Sequence, residues 1–154
     1  MIQRIQTVYL LFAEIVIGVL FFVPFAEIAA KEGSIYRFDI KGIFLEGVQK
    51  NEIIYSSLPL IILWAISLFL ILATIFLFKN RILQMRFATI NILILIGLCV
   101  LIFYYVWSGA RILSGHYYLT VYIVFPVIAA ILIYVAIRAI RKDELLVRSI
   151  DRIR

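Results

Sequence analysis

Four long apolar segments separated by polar connections dominate the hydrophobic pattern of this chain. They cover residues 5–26, 58–78, 87–107 and 117–137, and none of them alternates apolar and polar residues as a half-exposed strand does. A helix of about 21 residues rises roughly 31 Å, which matches a hydrocarbon core of about 30 Å. The pattern therefore predicts an all-α membrane protein, a single domain built as a four-transmembrane-helix bundle.

Composition agrees with this class. Of the 154 residues, 66% are hydrophobic, well above the share typical of soluble domains. The first apolar segment is longer than the core of a signal peptide, so we expect it to be the first span. The only cysteine, Cys99, lies within the third span, where a small buried apolar side chain is the expected role.

The distribution of positive charge predicts the orientation. Ten basic residues fall on the side of the chain termini and five on the opposite side, so we expect both termini to be cytoplasmic. The net charge of +6 lies at span ends, which argues against a nucleic-acid partner and favours anionic lipids or a cytoplasmic protein partner. The residues predicted to make these contacts are Lys79, Arg81, Arg86, Arg141, Lys142, Arg148 and Arg152.

The outer loop, residues 27–57, contains a strand-like alternation. Tyr36, Phe38 and Ile40 fall on one face and charged residues on the other, and glycines bracket a second apolar run. This pattern predicts a short β-hairpin. Because two strands alone are marginal in water, we expect the hairpin to rest on the helix ends or on a partner. Tyr36, Phe38 and Ile40 are the predicted partner contacts of this loop.

Aromatic residues gather at the predicted outer ends of the spans. Such residues typically form a belt at the depth of the lipid headgroups, and anchoring in that belt is the expected role. The residues are Tyr55, Tyr104, Tyr105, Trp107, Tyr117 and Tyr118.

The tail, residues 138–154, has the periodicity of an amphipathic helix. Leu146, Ile150 and Ile153 recur at helical spacing among basic residues. We expect a cytoplasmic C-terminal helix. It either lies on the inner leaflet or docks onto a cytoplasmic partner.

Glu14 is the one ionisable residue deep within a predicted span. A carboxylate at that depth is costly, so we expect Glu14 to be protonated, paired or facing water. Ser67 and Asn91 are the polar residues predicted to meet it, with Ser67 nearly level and Asn91 closer to the cytoplasm. The alternatives are a structural contact between helices or subunits and a relay for protons or cations. The structural contact is favoured because no span offers a second acid, histidine or lysine.

No motif for catalysis, cofactor binding or metal binding stands out. The chain has a single histidine, His116, and a single cysteine, too few for a zinc site built from these ligands. Paired carboxylates and a serine–histidine arrangement are also missing from the spans. We therefore expect a protein that is not an enzyme and holds no cofactor.

Three segments resemble an uncharacterised family of small four-span membrane proteins of Bacteroidota. They are residues 1–7 (MIQRIQT), 79–93 (KNRILQMRFATINIL) and 142–154 (KDELLVRSIDRIR). Ile150 stands where a small residue is expected in the last of them. The resemblance implies a bacterial inner-membrane protein and supplies no activity or site residue.

Three classes of function are consistent with these observations. The favoured one is a non-catalytic accessory or structural subunit of a larger bacterial inner-membrane complex, such as a protein translocation, secretion or respiratory complex, with other membrane subunits as partners. The alternative is an oligomeric small-solute or proton-linked transporter or channel that uses Glu14. A membrane enzyme acting on lipids comes last because the residues for its chemistry are missing.

Overall fold

The computed structural model describes residues 3–30, 33–45, 53–78 and 80–151. Their helices and strands follow in the order α1 (Gln3–Val19), β1 (Ala26–Ala29), β2 (Ile35–Asp39), β3 (Gly42–Leu45), β4 (Ile53–Ser56), α2 (Leu58–Phe76), α3 (Arg81–Ile112), β5 (His116–Leu119) and α4 (Phe125–Asp151). A 3-10 turn, Val121–Val124, leads into α4.

The four helices form an up-and-down bundle with two different ends. The start of α1, the connection between α2 and α3, and the end of α4 lie at one end, which we call the terminus end. The five strands lie at the other, the sheet end. An ion pair joins the beginning of α3 to the last part of α4, with Arg81 Nη2 3.2 Å from Asp143 Oδ2. Helices α2 and α3, which a short connection joins, pack against each other as antiparallel neighbours.

Buried residues recur on the helices at alternating spacings of three and four. This heptad period is typical of left-handed helix bundles, in which side chains of one helix fit between those of the next. The positions that follow this period are Gln6, Leu10, Ala13 and Ile17 on α1, with Leu20 just after its end; Ser67, Ile71 and Thr74 on α2; Gln84, Ala88, Asn91, Leu95, Leu98, Ile102 and Tyr105 on α3; and Ala129, Ile133, Ala136 and Ile140 on α4.

Three of the helices are long and apolar enough to cross a membrane. The apolar stretches are Leu58–Phe76, Arg81–Ile112 and Val121–Leu145, whereas that of α1, Ile5–Val19, is shorter. The protein is thus a membrane protein by these measures. The predicted first span, residues 5–26, is too long because α1 ends at Val19. Pro24 follows in the connection, and Ala26 begins a strand.

The sheet is larger than the predicted hairpin. The hairpin itself is present as β2 and β3, which pair antiparallel with Phe38 opposite Ile43. The full strand order is β4-β3-β2-β1-β5. Residues 117–119 were predicted to begin the fourth span, and this is wrong: they belong to β5, which pairs with β1. The local apolar sequence favours a helix, but pairing with β1, which is far away in the chain, makes these residues a strand.

The sheet rests on the ends of the helices, one of the two supports predicted for it. Phe38 stacks on Tyr105 of α3 at a centroid distance of 6.2 Å. A Cβ atom at Gly109 of α3 would lie 2.6 Å from Cδ1 of Ile43. A larger residue at position 109 would therefore have to displace that side chain.

The tail is the continuation of α4. The helix runs without interruption from Phe125 to Asp151, so the described part of the tail is helical as predicted, but it belongs to α4. Ile153 lies outside the described residues, as do the side chains of Leu146 and Ile150. The amphipathic stripe therefore remains a sequence prediction.

Candidate functional site

A first layer of polar side chains lies between the helices near the terminus end of the bundle. Gln84 Nε2 donates a hydrogen bond of 3.1 Å to the carbonyl oxygen of Thr74, and Thr74 Oγ1 donates one of 2.6 Å to Leu70 O in its own helix. Gln6 of α1 is also buried and lines a cavity together with Gln84. This terminus-end layer therefore joins α1, α2 and α3.

The register of the helices places a second polar layer one heptad further into the bundle. Seven residues before Thr74 on α2 is Ser67, and seven after Gln84 on the antiparallel α3 is Asn91, a rise of about 10.5 Å on each helix. Ser67 and Asn91 therefore lie at one level.

A second hydrogen bond, between α1 and α2, shows that Glu14 lies at the same level as Ser67 and Asn91. Trp64 Nε1 of α2 donates to the carbonyl oxygen of Ile17 of α1 at 2.8 Å. Three residues toward the terminus end from this bond are Glu14 on α1 and Ser67 on α2. The three predicted polar residues, Glu14, Ser67 and Asn91, thus share one level, which we call the central layer. Asn91 is nearer to the level of Glu14 than the sequence indicated.

The central layer has unsatisfied hydrogen-bonding groups. Ser67 and Asn91 are fully buried, and Glu14 is half-buried. Within the described residues, Glu14 Oε2, Ser67 Oγ and both amide atoms of Asn91 have no hydrogen-bond partner. Such groups are costly in an apolar core. The carboxyl can bind or release a proton, and all three groups can hydrogen-bond a polar group from another helix or a solute.

The two layers predict opposite effects of similar substitutions on α3. Asn91→Leu removes two unpaired polar atoms, so we expect thermal stability in detergent to stay unchanged or rise. Gln84→Leu removes the bond to Thr74 O, so we expect a loss of roughly 1 kcal/mol. Melting of the two purified variants beside the wild type measures this. A larger loss for Asn91→Leu than for Gln84→Leu would contradict the assignment of the layers.

Among the predicted basic contact residues whose side chains the structure describes, Arg81 is the one found in a partly buried ion pair. Besides Asp143, it reaches Glu144, with Nη1 4.0 Å from Oε2, and Nη1 donates to the carbonyl oxygen of Asp143 at 3.0 Å. Asp143 was not predicted from the sequence, although it continues the heptad of Ala129, Ala136 and Ile140. Among the other predicted contacts, Arg86, Arg141 and Lys142 are exposed, whereas Lys79, Arg152 and the side chain of Arg148 lie outside the described part.

The predicted partner contacts of the outer loop are mostly covered by the protein itself. Phe38 and Ile40 are fully buried, and Tyr36 is half-buried. Their alternation reflects packing of the sheet on the helix ends. We therefore correct the prediction for Phe38 and Ile40, whose side chains are not at a surface that a partner could contact.

Charged residues on the far face of β2 include a partly buried pair. Arg37 Nε lies 3.4 Å from Asp39 Oδ1. Burial raises the pKa of the Asp39 carboxyl above its usual value, while the charges of Arg37 and Lys41 oppose the shift. Because the folded state holds this proton more tightly, the contribution of Asp39 to stability increases as the pH falls through its pKa.

The edge of the sheet at β5 is an open surface of the sheet end. All four residues of β5 are exposed, and Tyr118 is 64% exposed. A groove of about 550 Å³ lies beside the start of the strand and is lined by Trp107, Arg111 and His116, among others. The guanidinium of Arg111 lies 3.8 Å from the ring centroid of Trp107. This edge and groove were missed because their strand was predicted as helix.

These features define a membrane protein whose helix bundle carries buried polar layers and is capped at one end by a sheet. Residues 2–153 match the domain of unknown function DUF4293. The chain belongs to this uncharacterised family, as the resemblance of its three segments indicated. No curated protein matches the chain.

Proposed function

We propose that this protein is a non-catalytic accessory subunit of a larger bacterial inner-membrane assembly, for example one for protein translocation, secretion or respiration. The observation that carries the proposal is the open edge of the sheet at β5. A partner subunit adds to this edge or packs against it.

The composition of β5 supports an interface. Strand edges that stay free in water are commonly protected by charged residues, proline or a covering loop. Tyr117, Tyr118 and Leu119 of β5 offer no such charge. The neighbouring Phe22 and Val121 are also highly exposed. Lipid headgroups account for the aromatic side chains, as predicted for a belt, but they do not pair with strand backbone.

Crosslinking in the native membrane tests this proposal. A photoreactive amino acid at Tyr118 should give a discrete adduct with one membrane protein after illumination. The matched control is Leu93, an exposed residue halfway along α3, which should give mainly lipid adducts. Lipid adducts alone at both positions would contradict a subunit interface at β5.

The proposed location is the bacterial inner membrane, crossed several times, with both chain termini in the cytoplasm and the basic terminus end against anionic lipids. Single cysteines at Lys41 and Asn80, in a Cys99→Ala background, report this orientation. Lys41 is exposed at the sheet end and Asn80 at the terminus end. We expect an impermeant maleimide to label Lys41→Cys from the periplasm and to leave Asn80→Cys unlabelled. The reverse pattern would invert the proposed topology.

The second candidate function is an oligomeric transporter or channel for small solutes or protons. The unpaired groups of the central layer favour it, because a polar group within a membrane commonly marks a pathway. Glu14 is then the residue that carries the proton or contacts the solute. The consequences of replacing Glu14 separate the two functions.

A further inference from the structure

The free edge of β5 presents unpaired backbone groups at positions that the register defines. Thr120 N, just after β5, donates to the carbonyl oxygen of Phe25, just before β1, at 3.0 Å. Because the hydrogen-bonding direction alternates along a strand, the backbone of Tyr118 points toward β1 as well. The N–H and C=O groups of Tyr117 and Leu119 point the other way, toward the free edge. An added strand would therefore pair with these two residues.

The side chains of Tyr117 and Leu119 lie on the face of the sheet that is turned toward α3. Tyr117 is opposite Ile28, and a Cβ atom at Gly109 of α3 would lie 3.1 Å from Cδ1 of Ile28. Tyr117 and Leu119 are nevertheless 39% and 47% exposed. Apolar side chains on this face of an added strand would cover them, because directly opposite residues share a face.

The groove beside the start of β5 lies on the same face and carries positive charge. Tyr117 lines it together with Arg111 and Trp107 of α3. Arg111 stacks on the ring of Trp107, and within the described part of the chain it forms no ion pair with an acidic side chain. Glu27 of β1 is opposite Tyr118 and so lies on the other face of the sheet. The groove therefore suits a carboxylate, which accepts well from a guanidinium.

We propose that the partner segment at β5 is an antiparallel strand with apolar residues opposite Tyr117 and Leu119 and an acidic residue opposite Gly115. This assignment rests on the proposed subunit interface at β5 and specifies the chemistry of the partner. Gly115 lines the groove. Since residues two apart on a strand share a face, the acidic side chain lies on the same face as the apolar ones and reaches Arg111.

A second copy of this chain does not offer such a strand. If β5 of one copy paired antiparallel with β5 of another, the residue opposite Gly115 would come from the end of β5 or from the turn that follows it. Residues 116–125 include no acidic side chain, so Arg111 would stay without a counter-charge. The fitting partner is therefore a different protein.

Peptide binding to the full-length protein in an uncharged detergent tests the proposal. The probe is a fluorescent peptide, acetyl-Thr-Val-Thr-Val-Thr-Glu-Thr-amide, and its matched control has glutamine in place of glutamate. We expect fluorescence anisotropy to show about tenfold tighter binding of the glutamate peptide, because a charge-assisted pair is stronger than its neutral counterpart. A version N-methylated at the second valine, which pairs with Tyr117, should not bind. Equal binding of the first two peptides, or no binding up to about 1 mM, would overturn the proposal.

Variants of Arg111 locate the acidic contact. In Arg111→Gln the preference for the glutamate peptide should disappear, and in Arg111→Glu a lysine peptide should bind better than the glutamate one. Arg86→Gln is the control, because Arg86 lines a different groove on α3, and it should keep the wild-type preference. An unchanged preference in folded Arg111→Gln would refute the contact. So would displacement of the peptide by equimolar phosphatidylglycerol, which would assign Arg111 to a lipid headgroup.

The crosslink at Tyr118 separates failure of the acidic strand from failure of the proposed function. We expect Arg111→Gln to lower the yield of the Tyr118 protein adduct about fivefold, because the partner loses its charged contact. A full yield in Arg111→Gln would leave the subunit interface in place and refute the acidic strand. Absence of the adduct in the wild type as well would refute the interface itself.

Discussion

Replacing Gly115 by alanine should detach β5 from the rest of the sheet. A Cβ atom at this position would lie 2.3 Å from the carbonyl oxygen of Ala29 in β1. Backbone cannot rotate away as a side chain does, so the strand itself must move. We expect a loss of about 3 kcal/mol, the upper part of the range for overpacked sites.

Thermal unfolding of the purified protein in detergent measures this loss. Gly18→Ala is the matched control: apart from its chain neighbours and the backbone of its own helix, no heavy atom lies within 4 Å of its added Cβ. Alanine is also the better helix former by roughly 0.5–1 kcal/mol. The control should therefore melt at or above the wild-type temperature. If Gly115→Ala melted like Gly18→Ala, β5 would not pack against β1 as described.

Enlarging Ala13 should separate α1 from the bundle. Ala13 is one of the fully buried positions that follow the heptad period on α1. Its small side chain allows α1 to approach the neighbouring helices. Leucine adds three carbon atoms at a site that cannot expand outward. We expect Ala13→Leu to cost about 2–3 kcal/mol.

The same substitution at an exposed position provides the control. Ala65 is exposed on α2, so Ala65→Leu should change the melting temperature little. Proteolysis after residue 19 at a temperature just below melting would report release of α1. Equal stability of the two leucine variants would contradict the placement of Ala13 at a buried position.

Hydropathy predicted α2, α3 and α4 because length and apolarity alone define helices that can span a membrane. The end of α1 could not be placed in the same way. The apolar run continues through residues 20–26, and only pairing of Ala26 with Phe38 across β1 and β2 turns its last part into a strand. β5 was missed for the same reason, since its partner is about 90 residues earlier in the chain.

The polar layers were only partly visible in the sequence. Glu14, Ser67 and Asn91 stand out in apolar surroundings, but their common level depends on helix register, which the Trp64 and Gln84 hydrogen bonds reveal. Small residues such as Ala129 and Ala136 repeat at an interval of seven along one helix. A repeat of seven is typical of a left-handed bundle.

Replacement of Glu14 tests the central claim, an accessory subunit rather than a transporter, most directly. Glu14→Gln keeps shape and hydrogen bonding but cannot ionise. Two quantities would be measured for Glu14→Gln and Glu14→Leu. The first is the yield of the crosslinked adduct formed by a photoreactive amino acid at Tyr118, and the second is the ability of the variant to complement a deletion strain. We expect Glu14→Gln to retain both and Glu14→Leu to lose adduct modestly, because a contact of the Glu14 carboxyl with a helix of the partner would contribute about 0.6 kcal/mol, the average for polar contacts between membrane helices. A Glu14→Gln protein that assembles fully but does not complement would contradict the accessory role and favour the transporter.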